Sequence, residues 1–182
     1  MARLPYVDPE AAPEAVREAL ARLPVKLNIF RMMAHAETSF RPMLSLGMSI
    51  LAQQKLSPKL RELIILRVGS LSHARYEWVQ HVPIALAAGA SEAQIAALER
   101  GDVEGPFDEL ERAVLRFATE VVQEVRAGDD TFAALAALVS PREVVEVLLT
   151  IGYYMMIARL LESTAVDLDP PAGTRIVDAG RR

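Results

Sequence analysis

Paired capping residues divide this chain into helices. The clearest pairs are Ser57-Pro58, Ser91 with Gln94, and Ser140 with Glu143. A serine hydroxyl accepts a free amide proton of the first helical turn, proline fits that turn, and Glu or Gln three residues on bonds back to the cap. Few segments show the apolar–polar alternation of a β-strand. We therefore predict an all-α fold, a compact helical bundle.

Further caps, prolines and glycines set the other helix boundaries. The apolar circumference of 59–70 and of 147–158 indicates buried helices. Residues 1–166 are expected to form one domain. Residues 167–182 contain two adjacent prolines and no helical period, so we expect an irregular tail, either mobile or packed on a neighbouring subunit. The predicted helices cover 8–23, 28–54 with a kink or break at Pro42, 59–70, 74–88, 91–100, 107–126 and 140–163.

Charge and composition exclude several functional classes. The 20 Lys and Arg against 24 Asp and Glu give a net charge of -4, so nucleic acid is not an expected partner. No cysteine is present, which removes disulfides, thiolate metal sites and thiol nucleophiles. The longest uncharged apolar stretch, 147–158, is shorter than the roughly 20 residues that span a bilayer, and the N-terminus carries acidic residues and prolines instead of a signal-peptide core. We expect a cytoplasmic protein without a membrane partner.

Glu62 lies on an otherwise apolar predicted helix. It shares a face with Ile65 and Leu66, so its carboxyl group is expected in partly apolar surroundings, where burial favours the neutral form. Such a glutamate suits proton transfer near neutral pH if a substrate atom lies within hydrogen-bonding reach. The alternative is a surface ion pair with Arg61 or Lys59.

Glu77 and His81 are four residues apart on the next predicted helix, so their side chains share one face. A carboxylate beside an imidazole increases its basicity and fixes its tautomer, which is the usual support for a general acid or base. A purely structural hydrogen bond is the alternative, because i,i+4 polar pairs are common. Glu62, Glu77 and His81 are the candidate catalytic residues.

A metal site is not expected from the histidine spacing. His73 and His81 are separated by about 12 Å of helix rise, too far for both rings to reach one ion easily. A smaller set of Glu62, Glu77 and His81 remains an alternative ligand group. His35 has no ligand spacing and is assigned as structural or exposed. We predict neither a metal nor a redox cofactor.

Aromatic residues near these candidates offer an apolar surface. Residues 153–156 read Tyr-Tyr-Met-Met, and Trp78 is the single tryptophan. They could line a pocket, although core packing is the stronger expectation because the surrounding segment is apolar. Tyr76 and Trp78, which flank Glu77, are candidate substrate-binding residues, and Tyr76 is also a reserve proton donor.

Three segments together resemble a known family. LNIFRMMAHAE at 27–37, LRELIILRVGSL at 60–71 and YEWVQHVPIALAAGAS at 76–91 occur in the order typical of the carboxymuconolactone decarboxylase and alkylhydroperoxidase D-like superfamily of small helical oligomers. The similarity extends over about 15–163. The peroxidase branch has a glutamate, eleven residues, C-x-x-C, three residues and a histidine. This pattern aligns the glutamate with Glu62 and the histidine with His81.

The resemblance also places Ala74 and Glu77 at the two cysteine positions. It therefore implies a variant in which thiol-based peroxide reduction is excluded. The decarboxylase branch implies acid/base chemistry on a carboxylated lactone, for which His81 is the candidate proton donor and Glu62 a second proton-transfer group. A substrate carboxylate needs a cation, and Arg67 is the nearest candidate by sequence. The family further implies an obligate oligomer, a trimer or hexamer, which agrees with helices that are apolar nearly all round.

Two functions compete at this point. The first is a cofactor-independent enzyme acting on a small unsaturated carboxylic acid or lactone, as a decarboxylase-like carbon–carbon lyase. The second is a non-catalytic or ligand-binding oligomeric scaffold whose ancestor lost its cysteines. An enzyme needs the candidate side chains within reach of one another and open to a ligand, whereas a scaffold can close them in internal hydrogen bonds.

Overall fold

The computed structural model describes residues 1–180, which form ten α-helices and no β-strand. The all-α prediction is confirmed. The helices are α1 Glu14–Arg22, α2 Asn28–Met33, α3 Glu37–Ala52, α4 Pro58–Leu71, α5 Arg75–Ala87, α6 Glu92–Glu99, α7 Glu109–Glu124, α8 Asp129–Ala136, α9 Pro141–Thr164 and α10 Arg175–Gly180.

Helix α4 is the centre of the bundle. Ten consecutive residues, 60–69, are buried, because α5, α7 and α9 pack around it. This arrangement explains why the sequence of α4 is apolar on most of its circumference. It also places the polar Glu62 inside the protein.

The helix caps predicted from the sequence are present in the structure. The Ser57 hydroxyl accepts from the amide of Leu60, and both predicted capping boxes, at Ser91 and Ser140, are present. A third capping box at Asp108 was not predicted and starts α7 two residues later than expected. These starts depend on contacts within four residues, which is why local sequence predicts them.

Two predicted N-terminal boundaries are wrong. Asp8 forms a turn by accepting from the amide of Glu10, and α1 begins only after Pro13. The break expected at Pro42 lies instead between α2 and α3, and Pro42 sits inside α3. The carbonyl that the proline leaves unbonded belongs to Thr38, whose residue is exposed and open to water.

The C-terminal prediction is also corrected. Residues 167–180 pack on their own chain, and α10 lies against α3. The Tyr6 hydroxyl donates to the Asp167 carboxylate, and the Asn28 amide donates to Asp169. Distant hydrogen bonds of this kind order a segment that has no helical period of its own. The rest of the predicted tail, 181–182, lies outside the described residues.

Helix α9 is long and apolar enough to cross a membrane. It has 24 residues, and 50% of its most apolar stretch is buried inside the protein. The buried half packs on α4, α7 and α3. The exposed half carries Val145, Leu149 and Met156.

Candidate functional site

A buried carboxylate on α4 fixes the histidine on α5. The Oε2 atom of Glu62 lies 2.8 Å from Nδ1 of His81, and its Oε1 atom accepts from Nε of Arg61 at 3.0 Å. Glu62 is 0% exposed. Glu62 as a carboxylate accepts from both neighbours, so the hydrogen bond to His81 carries its proton on Nδ1. The free nitrogen of the ring is then the unprotonated Nε2.

The predicted hydrogen bond between Glu77 and His81 is absent among the described residues. The two side chains share a helical face, but Glu62 draws Nδ1 of the ring towards α4. Tyr154 packs edge-on against the imidazole with ring centroids 5.0 Å apart. The orientation of His81 is therefore set by α4 and α9 and not by its own helix. The alternative for Glu62 was a surface ion pair. The pair with Arg61 is present, but it is buried and not at the surface.

Glu77 is the unusual group of the site. It is 3% exposed, and neither of its carboxyl oxygens has a hydrogen-bond partner among the described residues. Burial, reinforced by the negative charge of Glu162, raises the pKa of Glu77 well above its usual value. A neutral carboxylic acid results, which can donate one hydrogen bond and accept another.

Glu77 and His81 line an apolar cavity of about 130 Å³. Helices α2, α3 and α9 and the C-terminal segment supply its walls, mainly with leucine, isoleucine, methionine and phenylalanine side chains. Tyr153 and Tyr154 also line it, so these two tyrosines form a wall in addition to packing in the core. Burial raises the pKa of Tyr153 to about 12 and that of Tyr154 well above 10, so both phenols are neutral.

Gln80 is a site residue that the sequence reasoning missed. Its amide nitrogen donates to the carbonyls of Asp169 and Pro170, and its oxygen accepts from the amide of Ala172. These hydrogen bonds hold the C-terminal segment against the cavity. In the sequence, the feature that could have indicated this role is an uncharged polar residue next to His81 within an otherwise apolar stretch.

The three predicted substrate-binding residues lie in different places in the structure. Tyr76 lines the cavity, but its hydroxyl is engaged by Asp169. Trp78 faces a different, open concavity beside Gly69. Arg67 donates to Thr119 and to the carbonyl of Gly101, on the opposite side of α4. Trp78 and Arg67 therefore do not line the cavity of Glu77 and His81, because residues close in sequence project in different directions around a helix.

The alternative metal set does not assemble. Within residues 1–180, no group of three His, Cys, Asp or Glu side chains has a geometry that could hold an ion. Both oxygens of Glu62 are engaged by Arg61 and His81. His35 is exposed and bonds to the carbonyl of Pro5, in agreement with its assignment.

Comparison with known proteins identifies the region that carries this site. The Carboxymuconolactone decarboxylase family model matches residues 38–120, which include Glu62, Glu77 and His81. Residues 38–120 are a carboxymuconolactone decarboxylase family region. The resemblance read from the sequence is thereby confirmed for these residues, and the C-x-x-C pair is absent from them. No curated protein matches the sequence significantly.

Solved structures share the fold at low identity. A peroxidase-related protein with an alkylhydroperoxidase AhpD core from Ralstonia eutropha JMP134 has a TM-score of 0.79 and 18% identity, over 100% of this chain and 97% of that one. A peroxidase-related protein from Silicibacter sp. TM1040 has a TM-score of 0.76 and 18% identity, over 92% of both chains. The debrominase Bmp8 has a TM-score of 0.73 and 19% identity, over 97% of this chain and 96% of that one, in a cysteine-to-alanine variant complexed with 2,3,4-tribromopyrrole. These likenesses establish the fold.

Proposed function

We propose that this protein is an acid/base enzyme that moves protons on a small unsaturated lactone or acid, without a cofactor. One observation carries the proposal: Glu77, whose carboxyl oxygens have no hydrogen-bond partner among the described residues, and His81, whose Nδ1 is bound to Glu62, line the same apolar cavity. A buried polar group without a partner is costly, and such groups cluster where a ligand completes the hydrogen bonding.

The two groups supply opposite halves of a proton transfer. Nε2 of His81 removes a proton from the carbon next to the lactone carbonyl, and the electron pair of that C–H bond moves into the conjugated system. Glu77 donates a hydrogen bond to the carbonyl oxygen, where negative charge develops. The imidazolium, balanced by the carboxylate of Glu62, then returns the proton to the far end of the conjugated system. The product is a conjugated isomer, and Glu62 acts as a positioning residue behind His81.

This reaction fits the site better than loss of carbon dioxide. Decarboxylation requires the enzyme to hold a substrate carboxylate, and Arg67, the candidate for that role, points towards Thr119. Peroxide reduction by thiols needs a cysteine, which the sequence lacks. Proton transfer alone needs only the groups that line the cavity.

Isomerisation of a β,γ-unsaturated γ-lactone tests the proposal. The conjugated product absorbs differently in the ultraviolet, so the rate is read directly. His81→Asn is the sharpest variant, because an asparagine amide can still donate to Glu62 while the base at Nε2 is lost. We expect a loss of about 10²–10⁴-fold, the usual contribution of a general base. His35→Gln is the control and should keep the full rate.

Glu77 is tested with a pair of variants. Glu77→Gln keeps the size and a hydrogen-bond donor, and Glu77→Leu keeps only the size. The Gln variant should lose less activity than the Leu variant, which should lose about 10²–10³-fold, as for other oxyanion donors. Isomerisation that survives both the His81→Asn and the Glu77→Leu changes would contradict the proposal.

The scaffold reading has an observation in its favour as well. The polar groups of Tyr76, Gln80 and Tyr153 form hydrogen bonds within the protein, as is typical of a closed structural core. Under that hypothesis, filling the cavity should raise the free energy of unfolding, and no turnover should be detected. Detectable turnover that depends on His81 would decide for the enzyme.

A further inference from the structure

The polar groups of the cavity are mostly unavailable to a ligand. Tyr76 donates to Asp169, and Tyr153 donates to the carbonyl of Met43. Gln80 is saturated by the C-terminal segment. Glu77, Nε2 of His81 and the hydroxyl of Tyr154 therefore remain without a hydrogen-bond partner among the described residues. A neutral carboxylic acid, an unprotonated ring nitrogen and a phenol all suit an uncharged ligand.

Basic side chains are missing from the cavity wall in the part of the chain that the structure describes. The two arginines of α4 are both engaged elsewhere, Arg61 with Glu62 and Arg67 with Thr119 and Gly101. The negative charge of Glu62 and the positive charge of Arg61 balance one another, so with a neutral imidazole at His81 the site has no net positive charge to offer an anion.

A carboxylate ligand would therefore lose its water without gaining a cation. An ionised group moved into apolar surroundings is strongly disfavoured unless it is paired. An uncharged ligand of the same shape avoids this penalty.

The size of the cavity limits the ligand to about one ring. Its volume of about 130 Å³ is close to that of an engineered apolar cavity of ~150 Å³ that binds benzene. The walls are aliphatic and aromatic, and the polar residues Glu77 and His81 both lie on α5. A planar ring with one carbonyl or amide group matches this distribution.

We propose that the substrate class of this site is a neutral, one-ring, unsaturated molecule with a single polar group, and that carboxylates are selected against. This inference rests on the proposed function and narrows its substrates to lactones and similar uncharged rings. It removes the carboxylic acids that the sequence left open.

Binding of benzamide and benzoate to the intact protein tests the proposal by calorimetry at pH 7. The two probes have the same ring and the same number of heavy atoms, and they differ in charge. We expect benzamide to bind at least about tenfold more tightly. Leu44→Trp, which fills the cavity, should abolish benzamide binding.

A charge-introducing variant makes the test sharper. Ile176 lines the cavity from the C-terminal segment and is partly exposed, so a lysine there can place its ammonium group at the wall. Ile176→Lys should strengthen benzoate binding and narrow or reverse the preference, while Ile176→Met should leave it unchanged.

The outcomes separate this inference from the proposed function. Benzoate binding as tight as benzamide, benzamide binding that survives Leu44→Trp, or no binding of either probe would overturn the inference. Lactone isomerisation lost in His81→Asn would still support proton transfer in those cases. Conversely, a clear benzamide preference with no isomerisation by the wild-type protein would leave the inference standing and remove the proposed function.

Discussion

Replacing Glu77 by glutamine should change how the stability of the protein depends on pH. In the folded protein, burial and the charge of Glu162 raise the pKa of Glu77 well above the usual value. In the unfolded chain, the same carboxyl ionises near pH ~4.3. Between these two values the unfolded state has released a proton that the folded state retains.

The sign and size of the effect follow from this difference. The folded state retains one proton more at Glu77, so this carboxyl group lowers the free energy of unfolding by about 1.4 kcal/mol per pH unit in this range. Glutamine has the shape of the neutral acid but does not titrate. Glu77→Gln should therefore match the wild type near pH 4.5 and become more stable by about 1.4 kcal/mol for each unit above it, until the folded carboxyl ionises.

Urea unfolding at half-unit pH steps measures the difference between the two proteins. Glu143→Gln is a control of opposite sign, because hydrogen bonds from Ser140 lower the pKa of Glu143. That variant should be less stable than the wild type at neutral pH, and the gap should close as the pH falls. If the Glu77→Gln and wild-type curves run parallel from pH 4.5 to 6.5, Glu77 is ionised in the folded protein and the site is misread.

Three further changes probe other parts of the structure. Glu62→Gln leaves the guanidinium of Arg61 buried without its counter-charge and should cost about 3–5 kcal/mol of unfolding free energy, measured by urea denaturation. Gln80→Ala removes three hydrogen bonds to the C-terminal segment, so amide exchange of Ala172 should accelerate while exchange in α4 stays slow. We expect the exposed apolar face of α9, which carries Val145, Leu149 and Met156, to form a subunit interface. Light scattering should then show a trimer or hexamer for the wild type and smaller species for Leu149→Glu, and a wild-type monomer would contradict this expectation.

Local sequence predicts most of the fold. The capping boxes at Ser91 and Ser140 fix helix starts through contacts within a few residues, and the structure retains them. Helix α8 was missed because its N-cap is Gly128, which has no side chain to signal a start. Its support comes from Glu120, which accepts from Gly128 and from the hydroxyl of Thr131.

The site was harder to predict, because its contacts are distant in sequence. Spacing indicated that Glu77 and His81 share a face, and both do line the cavity. Spacing could not show which carboxylate the imidazole of His81 bonds to. The structure shows that it is Glu62 on α4. Likewise, no local pattern indicates that Gln80 holds the C-terminal segment.

Deuterium incorporation tests the central claim most directly. A β,γ-unsaturated γ-lactone is incubated with the protein in D₂O, and proton NMR follows the two carbons between which the proton moves. If Nε2 of His81 removes and returns the proton, the wild-type protein should convert the lactone to its conjugated isomer, with deuterium at these carbons to the extent that the imidazolium exchanges with D₂O, and His81→Asn should catalyse neither process faster than buffer. Unchanged isomerisation or exchange with His81→Asn, or neither process with the wild type and any neutral unsaturated lactone that it binds, would contradict the account.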